Sequence, residues 1–383
     1  MRIGFFTNNY LPRPSGVAHA IENARLELEK LGHDVFVFAP RYSKKDKENE
    51  KLFRYRSIRT HKKLGPLSSI PFPHSAKIKK LINELGLDII HSHHPYLLGK
   101  TAQKYAQELE IPLVSTLHTA YHQYSGQLLE GLGDLVDDLV LEVLFKYIRK
   151  CNALIVSTNE FRKKFSVDPE SPHIHVLPSG IDVNRFSKKN RDKAKKKLKF
   201  KNSDIVLLTV ARLSYEKNVD FIIEVFSKLA RINENVRLII VGGGPQKLKL
   251  QSLAKSLGVK DKINFTGKAP YSKLHWYYGA SDLFLYASSI DAQGLVLCEA
   301  MASGLPILST NQAVGPKNLI KNNYIGYLIK PDPDAFSQKV IDLIEDKEKR
   351  QEFSRNARKE AKKYDRGILA KKLEKIYLEL VKK

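Results

Sequence analysis

Residues 2–39 read RIGFFTNNYLPRPSGVAHAIENARLELEKLGHDVFVFA, and this stretch decides the fold class. Residues 2–7 form a short apolar run typical of a buried strand, and residues 17–31 carry apolar side chains at helical spacing. Residues 35–39 form a second apolar run. The order strand, loop, helix, strand predicts two parallel strands joined by a right-handed crossover.

The same alternation of apolar runs and helical patterns continues along the chain. It extends to residue 157, and a second series runs from residue 205 to residue 309. A stretch rich in lysine and arginine, residues 185–201, lies between the two series. The sequence therefore predicts an α/β protein with two doubly wound, Rossmann-like domains that meet near residue 180. Ligands are expected beyond the carboxyl ends of the strands, where the two halves face one another.

Composition narrows the possible functions. The 383 residues are 42% hydrophobic, but no apolar run reaches the ~20 residues of a membrane-crossing helix, so we expect a cytoplasmic protein. The formal charge of +24 attracts polyanions, either nucleic acid or anionic lipid, unless the lysines merely cover solvated helix faces. A nucleic-acid partner is disfavoured because helix-turn-helix, zinc-finger and ribonucleoprotein motifs are absent from the sequence.

Glycine-containing turns follow three of the predicted strands, at residues 14–16, 242–245 and 291–295. Such turns allow backbone amides to approach a phosphate. The three spaced glycines of a dinucleotide fingerprint are missing, which disfavours a nicotinamide dehydrogenase. His91, His93 and His94 are numerous enough for a metal site, but no cysteine or clear carboxylate accompanies them. We expect no bound metal.

One segment carries a family resemblance. Residues 291–306, DAQGLVLCEAMASGLP, resemble the signature of the family-four retaining glycosyltransferases of GT-B fold, which normally have Glu at both ends of the spacing that Asp291 and Glu299 occupy here. Supporting motifs are Ser15-Gly16-Val17, TLHT at 116–119, RLSYEK at 212–217 and VGGGP at 241–245. The resemblance covers essentially the whole chain. It implies two Rossmann-like domains about a central cleft: an acceptor domain at 1–180, on which a helix at 366–383 packs, and a donor domain at 181–365.

The resemblance also implies roles for individual residues. Arg212 and Lys217 are expected to clamp the donor diphosphate, and fixed cations of this kind stabilise a leaving group without reorganisation. Glu299 is expected to bind the ribose hydroxyls, and His118 to contact the donor sugar. The implied catalytic residues are His118, Arg212, Lys217 and Asp291, and the implied donor-binding residues are Gly16, Arg212, Lys217, Gly243, Gly294, Leu295 and Glu299. We expect a front-face retaining mechanism with no metal and no cofactor beyond the nucleoside-diphosphate sugar, which acts as co-substrate.

Residues 117–124, LHTAYHQY, resemble the subgroup that transfers glucose or galactose to diacylglycerol. This similarity implies a lipid acceptor bound by Tyr121, His122 and Tyr124, and it favours a uridine over a guanosine nucleotide. The choice between glucose and galactose stays open. A soluble acceptor within the same family is the alternative. A non-catalytic scaffold is disfavoured because both Lys217 and Glu299 are present.

A membrane acceptor would account for the excess positive charge. Basic side chains near an anionic leaflet contribute about 1 kcal/mol each. We therefore expect peripheral attachment to the inner face of the cell membrane through basic residues of the first domain: Arg54, Arg56, Arg59, Lys62, Lys63, Lys77, Lys79 and Lys80.

Overall fold

The chain forms two compact units, the first comprising Met1–Gly180 and Arg366–Lys383 and the second comprising Ile181–Asp365. The computed structural model describes residues 1–59, 69–72, 75–118, 133–166, 168–187 and 191–382, without the side chains of residues 59, 69, 133–140 and 164. Within these ranges, no helix combines the length and apolar character needed to cross a membrane.

The first unit is built on a seven-stranded parallel sheet in the order β3-β2-β1-β6-β7-β8-β9. Its strands are β1 (Arg2–Phe6), β2 (Asp34–Pro40), β3 (Leu52–Tyr55), β6 (Ile89–Ser92), β7 (Leu113–Leu117), β8 (Ala153–Val156) and β9 (His173–Val176). A separate antiparallel pair consists of β4 (Ser57–Arg59) and β5 (Ser69–Pro71). The helices are α1 (Gly16–Lys30), α2 (Ala76–Glu84), α3 (Leu98–Glu108), α4 (Gly133–Ile148) and α5 (Asn159–Phe165).

The central strands of this sheet are buried on both faces, and most of their residues are apolar. Every residue of β6, β7 and β8 is buried. The turn after β1 leads into α1, whose start is fixed by the Ser15 side chain, which accepts a hydrogen bond from the Ala18 amide. This connection returns the chain to β2, which lies parallel beside β1.

The last helix of the chain, α15 (Arg366–Val381), belongs to the first unit. Leu373, Ile376 and Tyr377 pack into the same apolar core as Ile3 and Val37. Full burial of an aliphatic side chain stabilises a fold by about 1.5–3 kcal/mol. Residues more than 300 positions apart in the chain thus share one core, and the first unit is complete only when the C-terminal helix is in place.

The second unit contains a six-stranded parallel sheet in the order β12-β11-β10-β13-β14-β15. Its strands are β10 (Ile205–Val210), β11 (Val236–Val241), β12 (Ile263–Gly267), β13 (Leu283–Tyr286), β14 (Ile307–Thr310) and β15 (Gly326–Ile329). Its helices are α6 (Val183–Phe186), α7 (Arg191–Lys197), α8 (Val219–Ile232), α9 (Lys247–Ser256), α10 (Leu274–Ala280), α11 (Leu295–Ala302), α12 (Val314–Leu319), α13 (Pro333–Glu345) and α14 (Lys347–Ala361).

In both sheets, the order in which successive strands are added reverses at one strand. In the first unit β1 lies between β2 and β6, and in the second β10 lies between β11 and β13. Ligands of doubly wound sheets bind beyond the carboxyl ends of strands at such points. The loops after β1 and β6 in the first unit, and after β10 and β13 in the second, are therefore the places to look for function. The predicted fold class, two α/β units with parallel sheets, is confirmed.

Candidate active site

The loop after β10 lies directly against the glycine-rich loop after β11. A Cβ atom at Gly242 would lie 1.8 Å from the carbonyl oxygen of Ala211, and one at Gly244 would lie 2.2 Å from that of Leu213. Gly242 also has φ +147°, which side chains of L-residues rarely adopt. Only glycine permits this approach of the two backbones. The exposed Arg212 is carried on the loop that they brace.

Two more residues of the predicted donor set lie on turns that follow strands. Gly243 is half-buried within the glycine-rich loop of the second unit. Gly16 is exposed at the first position of α1 in the first unit. A helix start presents free amide groups and the positive end of the helix dipole, so the start of this 15-residue helix is chemically suited to an anionic group.

Lys217 is held in place before any ligand binds. Its Nζ donates to Asp291 Oδ2 at 2.6 Å, to Ser288 Oγ at 3.2 Å and to the Ile290 carbonyl oxygen at 3.3 Å. The Tyr286 hydroxyl donates to the same Asp291 oxygen. The Lys217 and Asp291 side chains are 14% and 23% exposed, so the pair is largely buried. The structure thus brings together two predicted catalytic residues from the loops after β10 and β13.

The loop that carries Asp291 packs closely against the backbone of α12. The Gly315 amide donates to the Asp291 carbonyl oxygen at 2.9 Å, and a Cβ at Gly315 would lie 2.5 Å from the Gln293 carbonyl oxygen. Gly294 then takes φ +79° as the residue before α11, and Leu295 begins that helix. The left-handed conformation at Gly294, which favours glycine, allows the chain to turn from the Asp291 loop directly into the helix.

Glu299 lies inside α11 and is 3% exposed. Burial raises the pKa of its carboxyl group to about 7, and the hydrogen bond donated by the Tyr278 hydroxyl at 2.7 Å opposes this rise. The buried carboxyl group is thus fixed by a tyrosine that the sequence analysis had not singled out. Its role as a ribose ligand stays a prediction.

In the first unit, His118 follows β7 and contacts a second histidine that follows β6. His93 Nδ1 lies 3.1 Å from His118 Nε2, and the two rings are stacked with centroids 5.3 Å apart. His91 bonds elsewhere, to the Tyr377 hydroxyl and, at 2.7 Å, to Thr116 Oγ1. The C-terminal helix α15 therefore supports the strand that leads to His118.

Burial determines the charge state of these rings. It lowers the pKa of His118 to about 4 and that of His91 to about 3, and it holds the pKa of His93 well below the usual range. At neutral pH all three imidazoles are uncharged. His118 can therefore donate or accept a hydrogen bond, but it does not supply a positive charge.

A small cavity of about 50 Å³ adjoins His118 within the first unit. His91, His93 and Arg366 are among its lining residues. His93 Nε2 is buried and has no hydrogen-bond partner among the described residues. The metal alternative raised by the histidine count gains no support here, because no group of three His, Cys, Asp or Glu among the residues that the structure covers has a suitable arrangement.

The predicted acceptor residues Tyr121, His122 and Tyr124 lie outside the described residues, as do Lys62, Lys63 and the side chain of Arg59. Of the other basic residues predicted to meet a membrane, Arg56, Lys77, Lys79 and Lys80 are exposed.

Arg54 was assigned wrongly to the membrane set. It is 6% exposed, its guanidinium donates to the carbonyl oxygens of Pro40, at 3.0 Å, and Leu11, and it lies 5.8 Å from the Tyr10 ring centroid. Through these hydrogen bonds the guanidinium group links the loop after β1 to the end of β2. The sequence could not reveal this, because a buried arginine and an exposed one look the same in a basic stretch.

Sequence reasoning also missed partners of the predicted residues. His93 was considered only as a metal ligand, although its position directly after a predicted strand was a usable signal. Tyr286 ends β13 and Ser288 follows it, and Tyr278 lies on α10. Nothing local in the sequence marks the two tyrosines as hydrogen-bond donors to Asp291 and Glu299.

Comparison with known proteins agrees with this geometry. Residues 14–185 match the family described as Glycosyltransferase Family 4, and residues 190–360 match Glycosyl transferases group 1. The matched families and the two parallel-sheet units identify a glycosyltransferase of GT-B fold. The chain belongs to Glycosyltransferase Family 4.

Two relatives and one solved structure illustrate the similarity. Alpha-monoglucosyldiacylglycerol synthase of Acholeplasma laidlawii is 30% identical over 394 residues, covering 100% of this chain and 98% of the relative. The protein of the same name from Streptococcus pneumoniae is 30% identical over 350 residues, covering 87% and 76%. The Anabaena HepE protein in complex with UDP-glucose has a TM-score of 0.78 at 19% identity, covering 99% of this chain and 100% of the other, which shows the shared fold.

Proposed function

We propose that this glycosyltransferase moves a hexose, glucose rather than galactose, from a UDP-sugar to the hydroxyl group of 1,2-diacylglycerol with retention at the anomeric carbon. The observation that carries the proposal is the preorganised Lys217 ammonium group, held by Asp291 on a loop that also bears Arg212. Two relatives named alpha-monoglucosyldiacylglycerol synthase support glucose and diacylglycerol, and the GT-B neighbour that holds UDP-glucose supports the nucleotide.

The donor loops suit a leaving diphosphate. As the bond between the anomeric carbon and the phosphate oxygen breaks, negative charge grows on the diphosphate. Lys217 already has a fixed position, because its ammonium group is bonded to Asp291, Ser288 and the Ile290 carbonyl oxygen. Groups fixed in advance stabilise developing charge without the cost of reorganisation. In this proposal Arg212 and Lys217 stabilise the negative charge that develops on the diphosphate, and no metal ion is needed.

The reaction proceeds on one face of the sugar. The acceptor oxygen bonds to the anomeric carbon on the side from which the diphosphate leaves, and the acceptor proton passes to a phosphate oxygen of the leaving UDP. No protein nucleophile is needed in this scheme. The role proposed for His118 is to donate or accept a hydrogen bond with the donor sugar, which fits the uncharged state that its low pKa imposes.

The acceptor places the enzyme at a membrane. Diacylglycerol stays in a bilayer, so the protein must approach the lipid surface. The formal charge of +24 supports attachment to an anionic leaflet, and we propose the inner face of the cell membrane as the site of action.

The test is transfer of radiolabel from UDP-glucose, UDP-galactose or GDP-mannose to lipid, in mixed micelles of diacylglycerol and phosphatidylglycerol. We expect a labelled monoglycosyl lipid with UDP-glucose, formed by the wild-type protein and by Lys255→Ala but not by Lys217→Ala. Lys255 is an exposed lysine at the end of α9 and serves as the matched control. Donor hydrolysis without lipid labelling would instead indicate a soluble acceptor, and labelling from GDP-mannose alone would overturn the proposed donor.

Stereochemistry is tested on the same product. Digestion by an α-glucosidase but not by a β-glucosidase is the expected result. A β-linked product would refute retention. Transfer that is abolished by EDTA and restored by Mg²⁺ would refute the metal-independent scheme.

A further inference from the structure

The antiparallel pair β4–β5 presents an unusual face in the first unit. Ile58 pairs directly with Ile70, and two residues along the ladder the Phe72 amide donates to the Arg56 carbonyl oxygen at 2.7 Å. Directly opposed residues project to the same side of an antiparallel pair, and so do residues two apart on one strand. Arg56, Ile58, Ile70 and Phe72 therefore share one face, which we call the hairpin face.

The hairpin face is apolar and open to solvent. Ile58 is 53% exposed, Ile70 is 37% exposed and Phe72 is 50% exposed. The opposite side of the ladder is directed inward, because Pro71 is buried. Single exposed apolar residues are ordinary, whereas a contiguous group of three marks a surface that another apolar body covers.

The charges around the hairpin face indicate the chemistry of the partner that covers it. Arg56 is exposed on the face itself, and α2 begins four residues after Phe72. Lys77, Lys79 and Lys80 are exposed on α2, whereas Ile78 and Ile82 of the same helix are buried. The nearest acidic partners of Lys79 and Lys80 lie at 3.9 Å and 3.8 Å, at the limit of an ion pair. Apolar side chains bordered by lysine and arginine complement an anionic lipid surface.

The base of the hairpin face is firmly supported. Arg54, which precedes it, is buried and bonded to the carbonyl oxygens of Pro40 and Leu11. β3 in turn pairs with β2 of the main sheet. A surface anchored in this way inserts without ordering a new segment, and so avoids the entropic cost of folding on binding.

We propose that the hairpin face is the bilayer-inserting surface of the protein, with Ile58, Ile70 and Phe72 entering the headgroup and acyl boundary of an anionic membrane while Arg56 and the α2 lysines contact phosphate groups. The proposal deepens the proposed function, since it identifies how a diacylglycerol transferase would meet its acceptor. It assigns the apolar part of membrane binding to Ile58, Ile70 and Phe72, none of which is among the basic residues that the sequence predicts at the membrane.

The experiment measures binding of the full-length protein to vesicles of phosphatidylglycerol and phosphatidylcholine by co-sedimentation. The test variant is Ile58→Ser with Phe72→Ser. The control variant is Ile232→Ser with Leu248→Ser, which alters residues of the second unit that are 66% and 77% exposed. We expect the test variant to bind about tenfold to a hundredfold more weakly, because two partly inserted side chains are lost, and the control to bind like the wild type.

Further arms separate the contributions and the alternatives. Arg56→Ala should weaken binding at low salt and have little effect at high salt, whereas the serine variant should stay defective at both. Unchanged vesicle binding by the serine variant would overturn the proposal. So would a wild-type dimer in light scattering that the serine variant dissociates without any change in vesicle binding, since the hairpin face would then bind a second copy of the chain.

The experiments distinguish failure of the inserting surface from failure of the proposed function. In detergent micelles, diacylglycerol is presented without a bilayer, so the serine variant should transfer sugar at the wild-type rate there. Normal micellar activity with normal vesicle binding by this variant would refute only the inserting surface. Vesicle binding that depends on Ile58 and Phe72, without any lipid labelling by the wild type, would refute only the proposed acceptor. Thermal unfolding of each variant verifies that it is folded, and Ile70→Ser provides an independent single change.

Discussion

Replacing Lys217 by methionine tests the proposed donor chemistry most directly. Methionine keeps an unbranched side chain of similar length and removes the ammonium group that now lies 2.6 Å from Asp291. Two unit charges about 4 Å apart at an effective dielectric constant near 20 interact by about 4 kcal/mol, which sets an upper limit for the loss at the diphosphate. Removal of one fixed donor from a charge-stabilising site typically costs about 100-fold to 1000-fold in rate.

We therefore expect kcat/KM for glucosyl transfer in micelles to fall about 100-fold to 1000-fold in Lys217→Met. Stability should also fall, by about 1–3 kcal/mol, because the Lys217 and Asp291 side chains are only 14% and 23% exposed and the substitution leaves Asp291 without its cation. Initial rates of label transfer, together with thermal unfolding, measure both effects. Lys255→Met is the control, an exposed lysine in the same unit. A loss below about tenfold in a fully folded variant would refute the role assigned to this cation.

Three other changes have defined outcomes. Glu299 has a folded-state pKa near 7 against a usual 4.5, so its contribution to stability is complete below pH 4.5 and is lost as the pH rises through 7. Relative to Glu299→Gln, the wild type should lose up to about 3 kcal/mol across that window in urea unfolding. Gly242→Ala places Cβ 1.8 Å from the Ala211 carbonyl oxygen and should destabilise by more than about 4 kcal/mol in thermal unfolding. His93→Phe removes the 3.1 Å contact with His118 and should lower kcat about tenfold, with KM for the donor little changed, in steady-state kinetics.

Gly258→Ala is the control for Gly242→Ala. Gly258 has φ +72° and no atom lies within 4 Å of the added Cβ, so only backbone strain of about 1 kcal/mol should appear. An equal loss in both glycine variants would contradict the packing argument. A pH-independent difference for Glu299→Gln would show that the carboxyl group is not buried in solution. For His93, an unchanged kcat would mean that the neighbouring ring needs no second histidine to position it.

Several strands were predictable to the residue. The sequence alone predicts Leu113–Leu117, Ile205–Val210 and Val236–Val241, and these are the observed bounds of β7, β10 and β11. A strand covered on both faces is a continuous apolar run that ends at polar or turn-forming residues, and this signal is local. The donor motifs were also readable, because their glycines and charged residues lie close together in the chain.

Three of the four edge strands of the two main sheets were missed for the complementary reason. β3, β9 and β15 were not predicted, and none of them is buried along its whole length, whereas the edge strand β12 was predicted at 263–266. Such short segments resemble loops in sequence, and pairing with a neighbouring strand is what makes them strands. The burial of Arg54 follows from the same pairing, because its partners at Pro40 and Leu11 reach it only when β3 lies beside β2.

The sequence by itself determined the two α/β units, the order of their central strands and helices, and the chemistry that their loops carry. The tertiary structure alone decided which of those groups meet. Lys217 and Asp291 are 74 residues apart, His93 and His118 are 25 apart, and His91 and Tyr377 are 286 apart. Local patterns specify strands and helices, but contacts across such separations depend on the order in which strands pair, and that order is set by packing of the whole unit.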